Sequence, residues 1–320
     1  MSIISFDTDS FRPQDRFEHW CEVRAKNLFG VTIELERDRR ADFHGRFSAF
    51  AIGSATFAEM KASSYRLSRT KADIARIASD SLYISNQIRG TGWLDVGRDR
   101  VHVMPDNGFG ISYSDMPYTA TPERSDGFHY RALKIPLASY HDLVGDARNL
   151  TPEPMLKSLR LTTLIAAAFS ALAEAGPQPT DGSSAVRHLA QLALLARGRI
   201  TSGQPESRAA LRFGFYHATR DLIRRNLHRA DLSPAMIAAA LSISVRQLHL
   251  LFEPTGSSFA RTVMAMRLAK AKLLLTTEID QPVSGIAFAC GFDSLATFYR
   301  AFRQAFDMTP GDLRSGSSTG

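Results

Sequence analysis

The stretch PVSGIAFACGFDSLATFYRAFRQAF, residues 282–306, decides how the last third of this chain folds. A short apolar run carrying Ile286, Ala287 and Cys290 ends at Gly291, a residue suited to the left-handed backbone of a sharp helix end. Ser284 is the expected cap of that first helix, and Asp293 or Ser294 the expected cap of a second. Phe298, Phe302 and Phe306 then recur every fourth residue and line one inward face. Ala296, Thr297, Arg300 and Gln304 fall opposite them. Two helices at a tight corner, with phenylalanine beneath and a small, polar and basic face above, form a helix-turn-helix of the kind that fits a DNA major groove.

The same grammar occurs in DLSPAMIAAALSISVRQLHLLFE, residues 231–253. Ser233 is placed to cap, Pro234 sits at the first helical position, and Ile237 and Leu241 form an apolar stripe. After Ser242-Ile243-Ser244, a second helix turns Leu248, Leu251 and Phe252 inward. Arg246 and Leu250 point outward, flanked by Gln247, His249 and Glu253. The two second helices start at Ser244 and Ser294, 50 residues apart. Between them FARTVMAMRLAKAKLLL, residues 259–275, is strongly helical, with Met264 or Met266, Leu268, Ala271 and Leu275 as its buried side.

Two helix-turn-helix units joined by one long helix, with the tail Gly291, Phe292, Ser294, Phe298, Arg300, Phe302, Arg303, Phe306, Thr309, Pro310 and Arg314, resemble the AraC/XylS family of transcription regulators. Phe259, Arg267, Leu268, Ala271, Leu274 and Leu275 stand where that family has its linker pattern. The resemblance covers about the last third of the chain. It implies double-stranded DNA as partner, with Ser244, Arg246, Gln247, His249, Leu250, Ser294, Ala296, Thr297 and Arg300 at the interface. The chain departs from the family at Ser242, where glycine is usual, and at Leu250, where Arg or Lys is common. Leu295, Ala296 and Tyr299 also replace residues that are usually polar. At Leu250, apolar contact with a thymine methyl is the expected substitute for a polar contact.

Charge supports a polyanionic partner for the same third. Residues 207–320 carry 14 Lys+Arg against 8 Asp+Glu, a net of +6, whereas residues 1–206 carry 25 against 24, a net of +1. The two cysteines, Cys21 and Cys290, suggest neither a disulfide framework nor a metal site. The N-terminus does not read as a signal peptide, and no run is long and apolar enough to span a membrane; the expected location is the cytoplasm.

Residues 13–29 read as an opening amphipathic helix with Phe17, Trp20, Leu28 and the stem of Arg24 against a core. From Val31 to Pro136, short alternating runs broken by Gly, Asp and Pro predict an antiparallel β domain, a barrel or jelly roll. The family resemblance places a cupin-like, effector-sensing barrel there. Residues 155–175 and 184–200 read as an antiparallel helical pair. Leu156, Leu159, Leu164 and Phe169 face Leu189, Leu192 and Leu195, and the surplus apolar surface is left for the barrel or a second copy of the chain. TSGQPESR, residues 201–208, reads as the linker, and residues 209–229 as a basic helix.

The expected fold class is therefore α+β: an N-terminal cupin-like antiparallel β-barrel with a helical hairpin, then an all-α domain with two helix-turn-helix motifs, near 233–253 and 284–306. The expected domains are 1–150 for sensing, 151–200 for the helical pair, 201–208 for the linker and 209–320 for DNA binding. Arg66, Arg69 and Trp93 are the candidate contacts for a small aromatic or carboxylate effector. No cofactor, metal or catalytic set is expected. His44, His102 and His129 are isolated, and Ser68-Arg69-Thr70-Lys71 matches S-x-x-K without a partner motif. RNA polymerase and a second copy of the chain are further expected partners. The alternatives are a cupin-type enzyme fused to a DNA-binding module and a DNA binder without a ligand.

Overall fold

The computed structural model describes residues 3–23, 30–155, 160–177 and 182–317. Two compact units emerge, Met1–Gly214 and Phe215–Gly320.

The first unit is built on two antiparallel sheets. One has seven strands in the spatial order β1 (Ile4–Asp7), β3 (Gly45–Ile52), β4 (Ala55–Ala62), β11 (Phe128–Pro136), β6 (Ser81–Arg89), β9 (Gly108–Tyr113) and β12 (Glu153–Pro154). The other has five, in the order β2 (Thr32–Glu34), β5 (Arg66–Arg69), β10 (Tyr118–Pro122), β7 (Gly92–Asp95) and β8 (Val101–Met104). The expected barrel is thus a two-sheet, cupin-like sandwich. Alternation along the strands sorts the side chains. Phe47 and Ala49 of β3 and Ala58 and Met60 of β4 form one buried cluster with Phe43, Phe17 and Trp20. Phe17 and Trp20 come from helix α1 (Pro13–Trp20), as its spacing predicts. Arg24 and Leu28, assigned to the same helix, lie outside the described residues.

On the other face of the seven-stranded sheet, Phe57 of β4 and Phe109 of β9 both meet Phe169, with ring centroids 5.2 and 5.5 Å away. Phe169 belongs to α4 (Arg160–Ala175), which runs beside α5 (Gly182–Ala196). Leu164, Phe169, Leu189 and Leu192 are all buried, so the apolar stripes of this pair pack within the unit. Leu156 and Leu159 lie outside the described residues. A short helix, α2 (Lys71–Arg76), interrupts the strand series. It is fixed by a reciprocal cap: Thr70 accepts from the Asp73 amide, and the Asp73 carboxylate accepts from the Thr70 amide at 2.9 Å. Helix α3 (Val144–Ala147) follows β11.

Within the stretch read as a linker, residues 201–204 turn and α6 (Pro205–Arg225) begins. Pro205 and Glu206 supply the N1 proline and first-turn acid that favour a helix start. The division between the two units falls inside this helix.

The second unit continues with α7 (Pro234–Ala240), α8 (Val245–Phe252), α9 (Phe259–Thr277), α10 (Val283–Ala289), α11 (Leu295–Phe306) and α12 (Pro310–Ser317). Helix α9 lends Leu268, Ala271 and Leu275 to a cluster with Ile286, Ala287, Cys290, Phe292, Phe298 and Phe302. This is the apolar underside that the four-residue phenylalanine repeat predicts.

Candidate nucleic-acid interface and ligand cavity

Each reading helix is set by a serine cap. Ser244 Oγ accepts from the Gln247 amide at 3.1 Å, and Gln247 Oε1 accepts from the Ser244 amide at 3.0 Å. Ser294 Oγ accepts from the Thr297 amide at 3.4 Å, which selects Ser294 over Asp293 as the cap of α11. The first helices of the two motifs differ from expectation. Pro282 occupies the N-cap of α10, so Ser284 lies inside that helix. Ser233 is the N-cap residue of α7 but makes no side-chain cap bond.

Between α7 and α8 the chain bends by 103°, within the range of a helix-turn-helix. Ser242 makes that corner with φ at +52°, a backbone that costs a residue with a Cβ roughly 1–2 kcal/mol. In the second motif Gly291 makes the corner at φ +81°. A Cβ there would meet the Leu227 carbonyl oxygen at 2.1 Å. Arg267 of α9 tightens the same place by donating from Nη2 to the Arg229 carbonyl at 2.6 Å and from Nε to the Leu227 carbonyl at 3.3 Å.

Leu248, Leu251 and Phe252 are buried beneath α8, while Arg246, Gln247, His249 and Leu250 are exposed. Beneath α11 Phe298 and Phe302 are buried; Ala296 and Arg300 are exposed, and Ser294 and Thr297 are half-buried. Val245 and Tyr299, which the sequence reading did not assign to the interface, are exposed on the same two helices. Gln247 spends its carbonyl oxygen on the cap, leaving its amide group as the donor for any further contact. Arg246 and Arg300 have no ion-pair partner among the described residues. The arrangement is thus a pair of capped helices, each carrying a guanidinium above a packed apolar underside.

In the first unit, the two sheets enclose a cavity of about 200 Å³. Tyr83 and Tyr130 line it from one sheet; Trp93, Leu94, Met104 and Tyr118 line it from the other. Among the described residues, the charged ones in its wall are Arg69 and Glu153. Both are engaged. Arg69 pairs with Asp115 at 2.8 Å, with the two side chains 4% and 11% exposed, and donates to the Ser114, Gly30 and Ile77 carbonyls. Burial pushes the Asp115 carboxyl up, but the Asp80 amide, Arg69 and the Ser79 amide together hold it below the usual carboxylate range. Glu153 pairs with Arg197 at 3.0 Å and accepts from Thr151 Oγ1 at 2.8 Å. Tyr113, also in the wall, has its phenol pushed up to about 12 by burial and by donation to Asp80.

The three residues suggested for effector contact therefore separate. Trp93 lines the cavity from an exposed position. Arg69 lines it with a guanidinium already bound to the protein. Arg66, three residues away on β5 and so on the opposite pleat, pairs with Glu34 at 3.4 Å and does not line the cavity. The isolated histidines sit in local contacts: His129 meets Glu59 and His44 meets Asp9, each at 2.5 Å, and His102 lies on the edge strand β8.

Two reading helices in one unit and a cavity-bearing, cupin-like sandwich in the other define a class in which a sensing domain is coupled to a helix-turn-helix domain. Comparison with known proteins names it. Residues 237–316 match the profile of a helix-turn-helix domain, and residues 75–196 match that of the AraC-like ligand binding domain. The two profiles together place an AraC-type helix-turn-helix domain and an AraC-like ligand binding domain in this chain. It is 36% identical over 105 residues to the transcriptional activator NphR of Rhodococcus sp, covering 31% of each chain. It is 42% identical over 81 residues to the transcriptional activator RhaS of Klebsiella pneumoniae (strain 342), covering 25% of this chain and 29% of that one. These matches span less than a third of the relatives' own lengths. Among solved structures, the AraC-like transcriptional activator CuxR superposes with a TM-score of 0.52 at 20% identity, covering 84% of this chain and 95% of CuxR. That likeness concerns the fold alone.

Proposed function

We propose that this protein is a transcription regulator that binds double-stranded DNA through α8 and α11 and responds to a small molecule held between its two sheets. The observation that carries the reading is the duplicated capped helix: Ser244 and Ser294 each start a helix whose apolar side is buried and whose arginine-bearing side is exposed. Arg246, His249, Thr297 and Arg300 are the leading DNA contacts. Residues 1–150 sense, 151–200 support the sandwich or pair with a second copy, 201–208 connect, and 209–320 bind DNA.

The cavity favours a neutral aromatic or hydroxyl-bearing effector over a carboxylate. Its aromatic and hydroxyl groups offer stacking and hydrogen bonds, whereas the arginine in its described wall, Arg69, is committed to Asp115. Activation is the favoured direction, since the relatives above are called activators. A cytoplasmic site of action, a homodimer and contact with RNA polymerase fit this role, and it requires no catalysis.

Footprinting of the full chain on the DNA around its own gene, with and without a panel of phenols, aromatic amines, sugars and benzoates, tests the proposal. A protected site whose extent or affinity changes with one ligand class supports it. Absence of any protected site refutes DNA regulation, and indifference to every ligand points to the ligand-free binder.

A further inference from the structure

The two reading helices are built alike but loaded differently. Counted from the caps Ser244 and Ser294, Arg246 and Ala296 occupy one equivalent position, and Leu250 and Arg300 occupy the other. All four are exposed, with Leu250 at 37%. The two positions lie four residues apart on one face, about 6 Å along the helix axis, enough to address base pairs one or two steps apart. At these two positions each helix thus presents one guanidinium and one apolar group, with the positions exchanged.

A guanidinium on this face matches O6 and N7 of guanine, while leucine or alanine matches only the thymine methyl among the features of the major groove. We infer that each reading helix recognises one guanine and one thymine methyl, and that the residue doing each job is exchanged between the two helices: Arg246 with Leu250 in α8, Arg300 with Ala296 in α11. This rests on the DNA-binding reading above and specifies what that surface reads. Its consequence is that the two halves of the operator are not repeats of one sequence, although the two motifs are repeats of one fold.

Single-atom-scale base analogues test this. Duplexes selected by the full chain from a random pool are titrated by gel shift after replacing each thymine by deoxyuridine, which removes only the methyl. Each guanine is likewise replaced by 7-deazaguanine, which removes N7. Each protected segment is expected to contain one thymine where the methyl is worth about four-fold in affinity, the factor for burying one methyl-sized group. Each should also contain one guanine sensitive to loss of N7. Arg246→Ala should abolish the N7 effect in one segment only, and Arg300→Ala in the other only. Leu250→Asn, which replaces the apolar surface with a polar amide, should bring the thymine-to-uracil ratio to one in the Arg246 segment. Because these side chains are exposed, melting temperatures should stay at the parent value. The combined Arg246→Ala and Leu250→Arg variant, loaded like α11, should move the N7-sensitive guanine of its segment by one or two base pairs.

Uracil tolerated everywhere, or arginine variants that weaken binding equally on all sequences, would overturn the inference while leaving DNA binding intact. No sequence preference at all would sink both.

Discussion

At the scale of single residues, the two corners make opposite demands. Gly291 cannot gain a Cβ without striking the Leu227 carbonyl, and the neighbouring Arg267 guanidinium leaves no slack. Gly291→Ala should therefore cost more than about 2 kcal/mol in denaturant unfolding of the second unit. Ser242 holds the equivalent left-handed backbone but is exposed, so Ser242→Gly should stabilise, by up to about 1 kcal/mol in the same assay. Arg69 offers a different test. If it braces the fold, as its buried pairing indicates, Arg69→Met should cost roughly 3–5 kcal/mol of stability. A ligand clamp would instead lose binding at unchanged stability. The glycine corner was legible in the sequence because only its backbone matters. The role of Arg69 was not, since its partners at Gly30 and Asp115 are distant in sequence and no local pattern announces them.

At the scale of elements, periodicity carried the reading where one face is buried and the other wet. The phenylalanine repeat of α11 and the leucines of α8 define both inner and outer faces from the sequence alone. Helix α2 was missed, although Thr70 and Asp73 have the spacing of a capping box; its six residues are too few to show a helical period. The caps Ser244 and Ser294 can be weighed directly: Ser→Ala at either should cost about 1 kcal/mol of stability. The Ser244→Ala change should also remove the hydroxyl's bond to Gln247 Oε1, leaving only the backbone amide to hold that side chain, and so alter DNA affinity, read by gel shift. In α6, His217 is half-buried, and burial, with Arg220 adding repulsion, depresses its pKa to about 4. The unfolded chain therefore takes up the proton first, so stability falls as pH drops from about 6.5 to about 4. The loss should approach about 3 kcal/mol at the acid end. Thermal melts across that window should flatten in His217→Leu.

At the scale of the whole molecule, composition located the division of labour, since nearly all the basic excess lies in the helix-turn-helix third. The position of the cavity was not readable, because its wall is assembled from strands far apart in sequence. A ligand that fills it should raise the melting temperature by linkage, corresponding to about 2.7 kcal/mol at a hundred times its Kd. A neutral phenol should do so more strongly than the matching benzoate, in a thermal-shift assay. The Arg197 side chain gives such filling a mechanical meaning. It grips Glu153 in the wall, the Ile111 carbonyl at 2.6 Å and the Thr151 carbonyl at 3.1 Å, one residue beyond the end of α5. A guest cannot re-seat Glu153 without tugging the tail of the helical hairpin, so one rivet makes the chamber and the hairpin's exit answer to the same event.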